Sequence, residues 1–177
     1  MINSNNKLTV RDITLIAIVA ALYVVLTITP GLNALAYGPI QFRLSEMLNV
    51  LIFFNRRYII AVTLGCVIAD IFNPIFPVFD PIVGGLIQTG LFLTLGWFLF
   101  KRFNRQYIFG IFNKAHFFFA LLFSASMILI AGELVVAKFS PNGILLTYLW
   151  LFISEFIVIM IGSVVFDQIG RRVDLSK

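Results

Sequence analysis

The sequence predicts an all-α integral membrane protein of six transmembrane helices, with both termini in the cytoplasm. Three observations predict it. Of 177 residues, 60% are hydrophobic and only 12% are charged, whereas a soluble domain carries about 25% charged residues to dress its surface. Mean hydropathy is +1.01 and Phe alone supplies 20 residues, so lipid must cover what a water-soluble chain of this size would leave bare. Finally, the basic residues cluster on alternate connecting segments, which is the signature of a fixed orientation in a bilayer.

Charge, Pro and Gly punctuate the spans. Span one covers residues 13–29 and stops at Pro30-Gly31. Residues 30–42 are apolar but broken by two Pro and two Gly, which marks an irregular segment. Span two, residues 42–54, ends at Asn55-Arg56-Arg57, and span three covers residues 58–72. The loop Asn73-Pro-Ile-Phe-Pro-Val-Phe-Asp-Pro81 leads into span four, residues 82–100, which ends at Lys101-Arg102. A basic segment runs to Lys114, followed by span five over residues 115–137. Ser140-Pro-Asn-Gly143 is a turn, and span six covers residues 144–169 before Arg171-Arg172. Residues 1–177 read as a single transmembrane domain. Spans two and three are short, since a straight crossing takes ~20 residues. They either lean on loops that dip inward or stop part-way. Both arrangements imply a cavity, because irregular backbone at membrane depth must be covered by protein or line water.

With six spans and a cytoplasmic N-terminus, Lys7, Arg11, Arg56, Arg57, Lys101, Arg102, Arg105, Lys114, Arg171, Arg172 and Lys177 lie inside, which is 11 of the 13 Lys and Arg. Arg43 and Lys138 lie outside. This bias accounts for the formal net charge of +5 as topogenic and excludes a nucleic-acid partner, whose site needs one continuous basic face. The polar first twelve residues and the absence of a small-residue cleavage site argue against a cleavable signal peptide. Cys66 is the single cysteine, so it forms no intramolecular disulfide and reads as a packing residue.

Polar residues within apolar spans cost at least ~2.5–3.5 kcal/mol each on insertion scales and so demand a role. Arg43, Glu46 and Asn49 share one face of span two. Asp70 is near the outer end of span three, Asp80 and Gln88 flank the outer start of span four, and Glu133 is near the outer end of span five. Glu155 lies near the middle of span six, with Trp150 about one turn above it. All fall in the outer half under this topology and point to one polar site open to the outside. Arg43 and Glu46, one turn apart, are expected to pair. That pair either lines the site or merely holds two helices together, and Asp70 either contacts ligand or is solvated by headgroups. The excess of carboxylates favours a cationic or donor-rich ligand. Arg43, Glu46, Asn49, Asp70, Gln88, Glu133, Glu155 and Trp150 are therefore the candidate substrate-binding residues.

Ala17-x-x-x-Ala21 in span one and Ala61, Gly65, Ala69 in span three are small-residue stripes of the kind that let helices approach closely. The span-three stripe reads as internal packing; the span-one pair is either internal or faces another membrane subunit. No catalytic or nucleotide-binding motif, metal-ligand set or cofactor motif is present, and the one histidine, His116, reads as an inner-interface residue. The chain is expected not to be an enzyme.

A small six-helix chain with a basic inner face, an outer polar site and Ala-x-x-x-Ala in its first helix resembles the S components of energy-coupling factor (ECF) vitamin transporters. Tyr37-Gly-Pro-Ile-Gln-Phe-Arg-Leu-Ser-Glu-Met-Leu-Asn49, Gly65-Cys-Val-Ile-Ala-Asp70 and Asp80-Pro-Ile-Val-Gly-Gly85 are similar to the QueT group, assigned to queuosine precursors. The resemblance implies an S-component fold in a prokaryotic plasma membrane. It implies capture of a 7-deazaguanine from outside, with the loop bearing Tyr37 and Gln41 closing over it. It also implies docking of Ala17 and Ala21 on a membrane coupling subunit, the T component, and two ABC-type ATPases that drive release inward. The residues leave open an S component for another vitamin, a stand-alone carrier using Glu133 or Glu155 as a proton relay, and a purely structural subunit.

Overall fold

Helix α1, Val10–Ile28, starts where the sequence supplies a cap. The Asp12 amide donates to Thr9 Oγ1 (3.3 Å) and the Thr9 amide donates back to Asp12 Oδ2 (2.8 Å), a reciprocal capping box. Asp12 also forms an ion pair with Arg57, which pins the start of α1 to a turn far along the chain. This computed structural model describes residues 9–37, 41–74, 76–136 and 143–175. The expected irregular segment after α1 contains a short helix, α2, Leu32–Ala36, before residues 38–40, which lie outside the described set.

Two short helices follow. Helix α3, Leu44–Phe53, is wound as a 3₁₀ helix, and α4, Tyr58–Asp70, is a regular α-helix. At about 2.0 Å per residue the ten residues of α3 span about 20 Å. At 1.5 Å per residue the thirteen of α4 also span about 20 Å. The tighter winding thus gives a shorter sequence the same reach. Helix α5, Pro81–Phe103, opens with π-helical turns over Pro81–Leu91 and continues as an α-helix from Phe92. A hairpin of β1, Tyr107–Ile108, and β2, Phe112–Asn113, leads into α6, Lys114–Val135. Helix α6 is interrupted at Met127, where the Ser126 hydroxyl donates back to the Phe123 carbonyl (2.6 Å), a bond that bends helices. Helix α7, Gly143–Gly170, completes the described chain.

Among the described residues, α1, α5, α6 and α7 are long and apolar enough to cross a membrane, whereas α3 and α4 are apolar but shorter. Of the short pair, α3 is almost wholly buried, while α4 buries one face and exposes Ile60, Leu64 and Ile68 on the other. Leu48, Val50 and Ile52 of α3 are buried, and α4 turns Ala61, Gly65 and Ala69 toward α1. A methyl group at Gly65 would sit 2.7 Å from Tyr23 Cβ and 2.9 Å from the Ala20 carbonyl oxygen, so glycine sets this approach. Gly162 does the same for α7 against α3, where an added methyl would lie 2.6 Å from the Met47 carbonyl oxygen.

The ends of the helices gather at two poles. One pole joins the start of α1, the α3–α4 turn, the hairpin and the end of α7. Asn104 Nδ2 donates to the Phe53 carbonyl (2.9 Å), the Tyr58 hydroxyl donates to the Leu175 carbonyl (3.2 Å), and the Arg171 guanidinium lies 5.8 Å from the Tyr107 ring centre. It carries the basic residues from Arg11 and Arg56 to Arg172. The other pole holds α2 and the α4–α5 loop. Gly65→Leu should lower the thermal unfolding temperature in detergent, by the ~1–3 kcal/mol typical of overpacking. Gly132→Ala, where a methyl meets nothing within 4 Å, should leave it unchanged; equal losses would mean that the α1–α4 contact is looser than described.

Candidate functional site

Arg43 caps the start of α3 in extended backbone, φ −89° and ψ 101°, so its side chain leaves the helix and runs toward α4 and α5. Its Nη1 lies 3.0 Å from Asp70 Oδ1 and its Nη2 lies 3.3 Å from Asp80 Oδ2. Its Nε donates to the Ala36 carbonyl (3.3 Å), and its guanidinium stands 4.9 Å from the centre of the Tyr37 ring. The Asn73 amide donates to the same Asp80 oxygen (2.6 Å), the Cys66 thiol to Asp70 Oδ2 (3.3 Å), and the Tyr37 hydroxyl to the Ala69 carbonyl (2.6 Å). All of these side chains are buried. Glycine makes room for them, since a methyl at Gly84 would sit 2.8 Å from Asp80 Oδ1 and 3.2 Å from Asp70 Oδ2. The expected Arg43–Glu46 pair is thereby corrected. One turn of spacing brings two side chains together only when both lie on the helix, and Arg43 lies before it. Headgroup solvation of Asp70 is likewise excluded by its full burial and its ion pair.

Glu46 instead belongs to a neighbouring cluster. It accepts from the Tyr23 hydroxyl (2.5 Å) and from Asn49 Nδ2 (2.6 Å), while Thr27 Oγ1 donates to Ser45 Oγ (2.7 Å) beside it. On α7, Glu155 is buried on the face shared with Leu151, Val158 and Gly162, within electrostatic reach of Glu46 and Arg43. Neither carboxylate oxygen of Glu155, nor Asn49 Oδ1, has a hydrogen-bond partner among the described residues. Burying a carboxylate in this state is costly. The region therefore holds acceptors without matching donors.

The other candidate residues lie apart from these clusters. Gln88 is buried between α5 and α6, where its Nε2 meets Ser126 Oγ (3.2 Å) and Met127 Sδ (3.4 Å) at the α6 interruption. Glu133 is half-buried on α6 and lines a shallow apolar groove with Phe76, Phe79 and Gly132. Trp150 is 49% exposed on the outer face of α7 and does not join Glu155. A separation of five residues turns the helix by 500°, which places the two side chains on different faces. Gln41, at positive φ (44°), is buried beside Arg43 in sequence. Ala17 and Ala21 both face outward on α1, while Ala20 between them is buried against α4. His116 is fully buried, with Nδ1 2.9 Å from Ser163 Oγ and its ring 5.0 Å from that of Phe53, near the start of α6 at the basic pole. Among the described residues no group of three His, Cys, Asp or Glu side chains could hold a metal ion.

Residues 13–171 match the family model described as the QueT transporter. The chain belongs to the QueT transporter family. The "Queuosine precursor transporter QueT" of Lactococcus lactis subsp. cremoris (strain MG1363) is similar to it, 54% identical over 167 residues that cover 94% of this chain and 96% of that protein. No solved structure matches the chain. Membership in a family of transporters agrees with the long apolar helices and with the lack of an enzymatic motif. Within this member, sequence reasoning passed over Tyr23. A tyrosine in mid-span is a signal in itself, because its hydroxyl must find a partner there, and the partner is Glu46.

Arg43→Met should cost about 3–5 kcal/mol of stability, since it leaves two buried carboxylates without their cation. Combining it with Asp70→Asn and Asp80→Asn should recover most of that loss. Thermal unfolding in detergent checks both, and a triple variant no more stable than Arg43→Met would show that the three groups do not act as a unit.

Proposed function

We propose that this chain is the substrate-binding S component of an ATP-driven ECF-type importer for a queuosine precursor, a 7-deazaguanine. The observation that carries the reading is the set of buried acceptors without donors: both oxygens of Glu155 and Oδ1 of Asn49, next to Glu46. A flat purine-like ring edged with N–H groups, especially one bearing an aminomethyl cation, supplies the donors that such a site lacks. The relative's name, a queuosine precursor transporter, supports the same class of solute. In this reading the basic pole faces the cytoplasm of a prokaryotic cell, the chain crosses the plasma membrane six times, and residues 1–177 form one transmembrane domain. The segment with Tyr37 and Gln41 closes over the ligand. The outward-facing Ala17 and Ala21 dock on a T component, and two ABC-type ATPases supply the energy. Arg43, Asp70 and Asp80 shape the entrance, while Glu46, Asn49 and Glu155 hold the ligand; Gln88 and Glu133 act from the periphery.

Glu155 also favours a second reading, a stand-alone carrier that moves protons through this carboxylate. Uptake into vesicles that lack any ATPase but hold a proton gradient would select the carrier over the importer subunit.

Purified protein should bind 7-aminomethyl-7-deazaguanine, and Glu155→Gln should weaken binding about tenfold or more, the effect of one charge-assisted hydrogen bond. Calorimetric titration reads this directly. Co-purification of a different vitamin with no binding of the deazaguanine would overturn the assignment. Ala17→Trp should abolish co-purification with the T component while ligand affinity stays the same; lost affinity would place that face inside the fold.

A further inference from the structure

A second cavity lies at the opposite, basic pole, and the proposed transport site makes no use of it. It measures about 380 Å³ and sits between the hairpin, the end of α7 and the α3–α4 turn. That is within the ~300–1,000 Å³ range of small-molecule sites. Asp167 of α7 lines it, with Asn113 and Asn104 to one side and Arg105, Tyr107 and Arg171 around the mouth. The Asp167 side chain is about nine-tenths buried. Its Oδ1 stands 3.9 Å from His116 Nδ1, too far for a hydrogen bond; the Asn113 side chain interacts with the carboxylate, and its Oδ2 has no hydrogen-bond partner among the described residues. Arg171, one helical turn on, is within electrostatic reach of Asp167 and also lies 5.8 Å from the centre of the Tyr107 ring. Asp174 also lines the cavity.

The cavity therefore has a carboxylate at its base and two guanidinium groups with a second carboxylate, Asp174, in the rest of its polar lining, and in the topology proposed above it opens at the cytoplasmic headgroups. Phe109 and Ile111, at the tip of the hairpin, are exposed, Phe109 at 93%, and apolar side chains of this kind bury at the boundary of headgroups and acyl chains. We propose that this cavity binds the headgroup of an amine-bearing phospholipid, phosphatidylethanolamine, from the adjacent leaflet. The primary ammonium donates to Asp167 at the base. The phosphate takes the guanidinium groups of Arg105 and Arg171 at the mouth, as phosphates do in basic pockets at the ends of membrane helices. The acyl chains then run past Phe109 and Ile111. A choline headgroup carries the same charges but no N–H donor, so the site discriminates between the two by hydrogen bonding to Asp167.

The full-length protein in nanodiscs of equal phosphatidylethanolamine, phosphatidylcholine and phosphatidylglycerol, delipidated stepwise and read by native mass spectrometry, tests this. Phosphatidylethanolamine should be retained about tenfold over phosphatidylcholine, the discrimination expected of one charge-assisted hydrogen bond. Asp167→Asn should abolish that preference, and Arg105→Ala with Arg171→Ala should release both ethanolamine and glycerol lipids. Those two arginines are exposed, so this variant remains informative if Asp167→Asn fails to fold. Equal retention of the ethanolamine and choline lipids, or a preference for phosphatidylglycerol that Asp167→Asn does not change, would overturn the proposal.

Discussion

One buried cation organises the pole opposite the basic one. Arg43 leaves the start of α3 and closes on Asp70 of α4 and Asp80 at the head of α5. Through the Ala36 carbonyl and the Tyr37 ring it also fixes the segment after α2. Four stretches of chain thus meet on one side chain, far from water. Removing a charge from water is expensive, and the expense is recovered only where geometry and additional hydrogen bonds are good. Here Asn73 and Cys66 supply those bonds, and Gly84 supplies the space. The unusual backbone of the region, 3₁₀ in α3 and π at the head of α5, lies on both sides of this contact. Such windings place side chains that regular α-helices would aim elsewhere.

The division of polar labour follows from it. With Arg43 committed to Asp70 and Asp80, Glu46 turns to Tyr23 and Asn49, and Glu155 is left without a donor. A single guanidinium matched to two carboxylates, with two further carboxylates nearby, makes an acid-rich interior rather than a balanced one. Helix-to-helix structure and solute chemistry are separated by this arrangement. The first set of charges holds the architecture, and the second remains open to a partner.

Hydropathy and punctuation marked where the helices lie, because lipid enforces long apolar runs and turns need Pro, Gly or charge. The shortness of α3 and α4 was visible for the same reason. Contacts were harder to read. The Arg43–Glu46 spacing suggested a pair, but spacing carries meaning only inside a regular helix, and Arg43 stands just outside one. Trp150 was grouped with Glu155 by proximity in sequence, although the helix carries it to another face. The end of the span that carries His116 was legible, but its neighbours in space, Ser163 and the Phe53 ring, come from distant segments and were not. Glu155 and Asn49 were legible because an uncompensated polar atom in an apolar run is conspicuous in any arrangement.

The length of α4 has a consequence for the surrounding lipid. Ile60, Leu64 and Ile68 form its exposed strip, on a helix about 20 Å long at 1.5 Å per residue, and its neighbours α1 and α5 are long enough to cross a bilayer. A hydrocarbon layer of ~30 Å cannot match both heights at once. Along that flank the leaflets must pinch together or the whole protein must lean, at a cost of fractions of a kcal/mol per Å of mismatch. The bilayer beside this protein is thus elastically loaded on one side, and its thickness becomes a variable that biases how the protein stands in it.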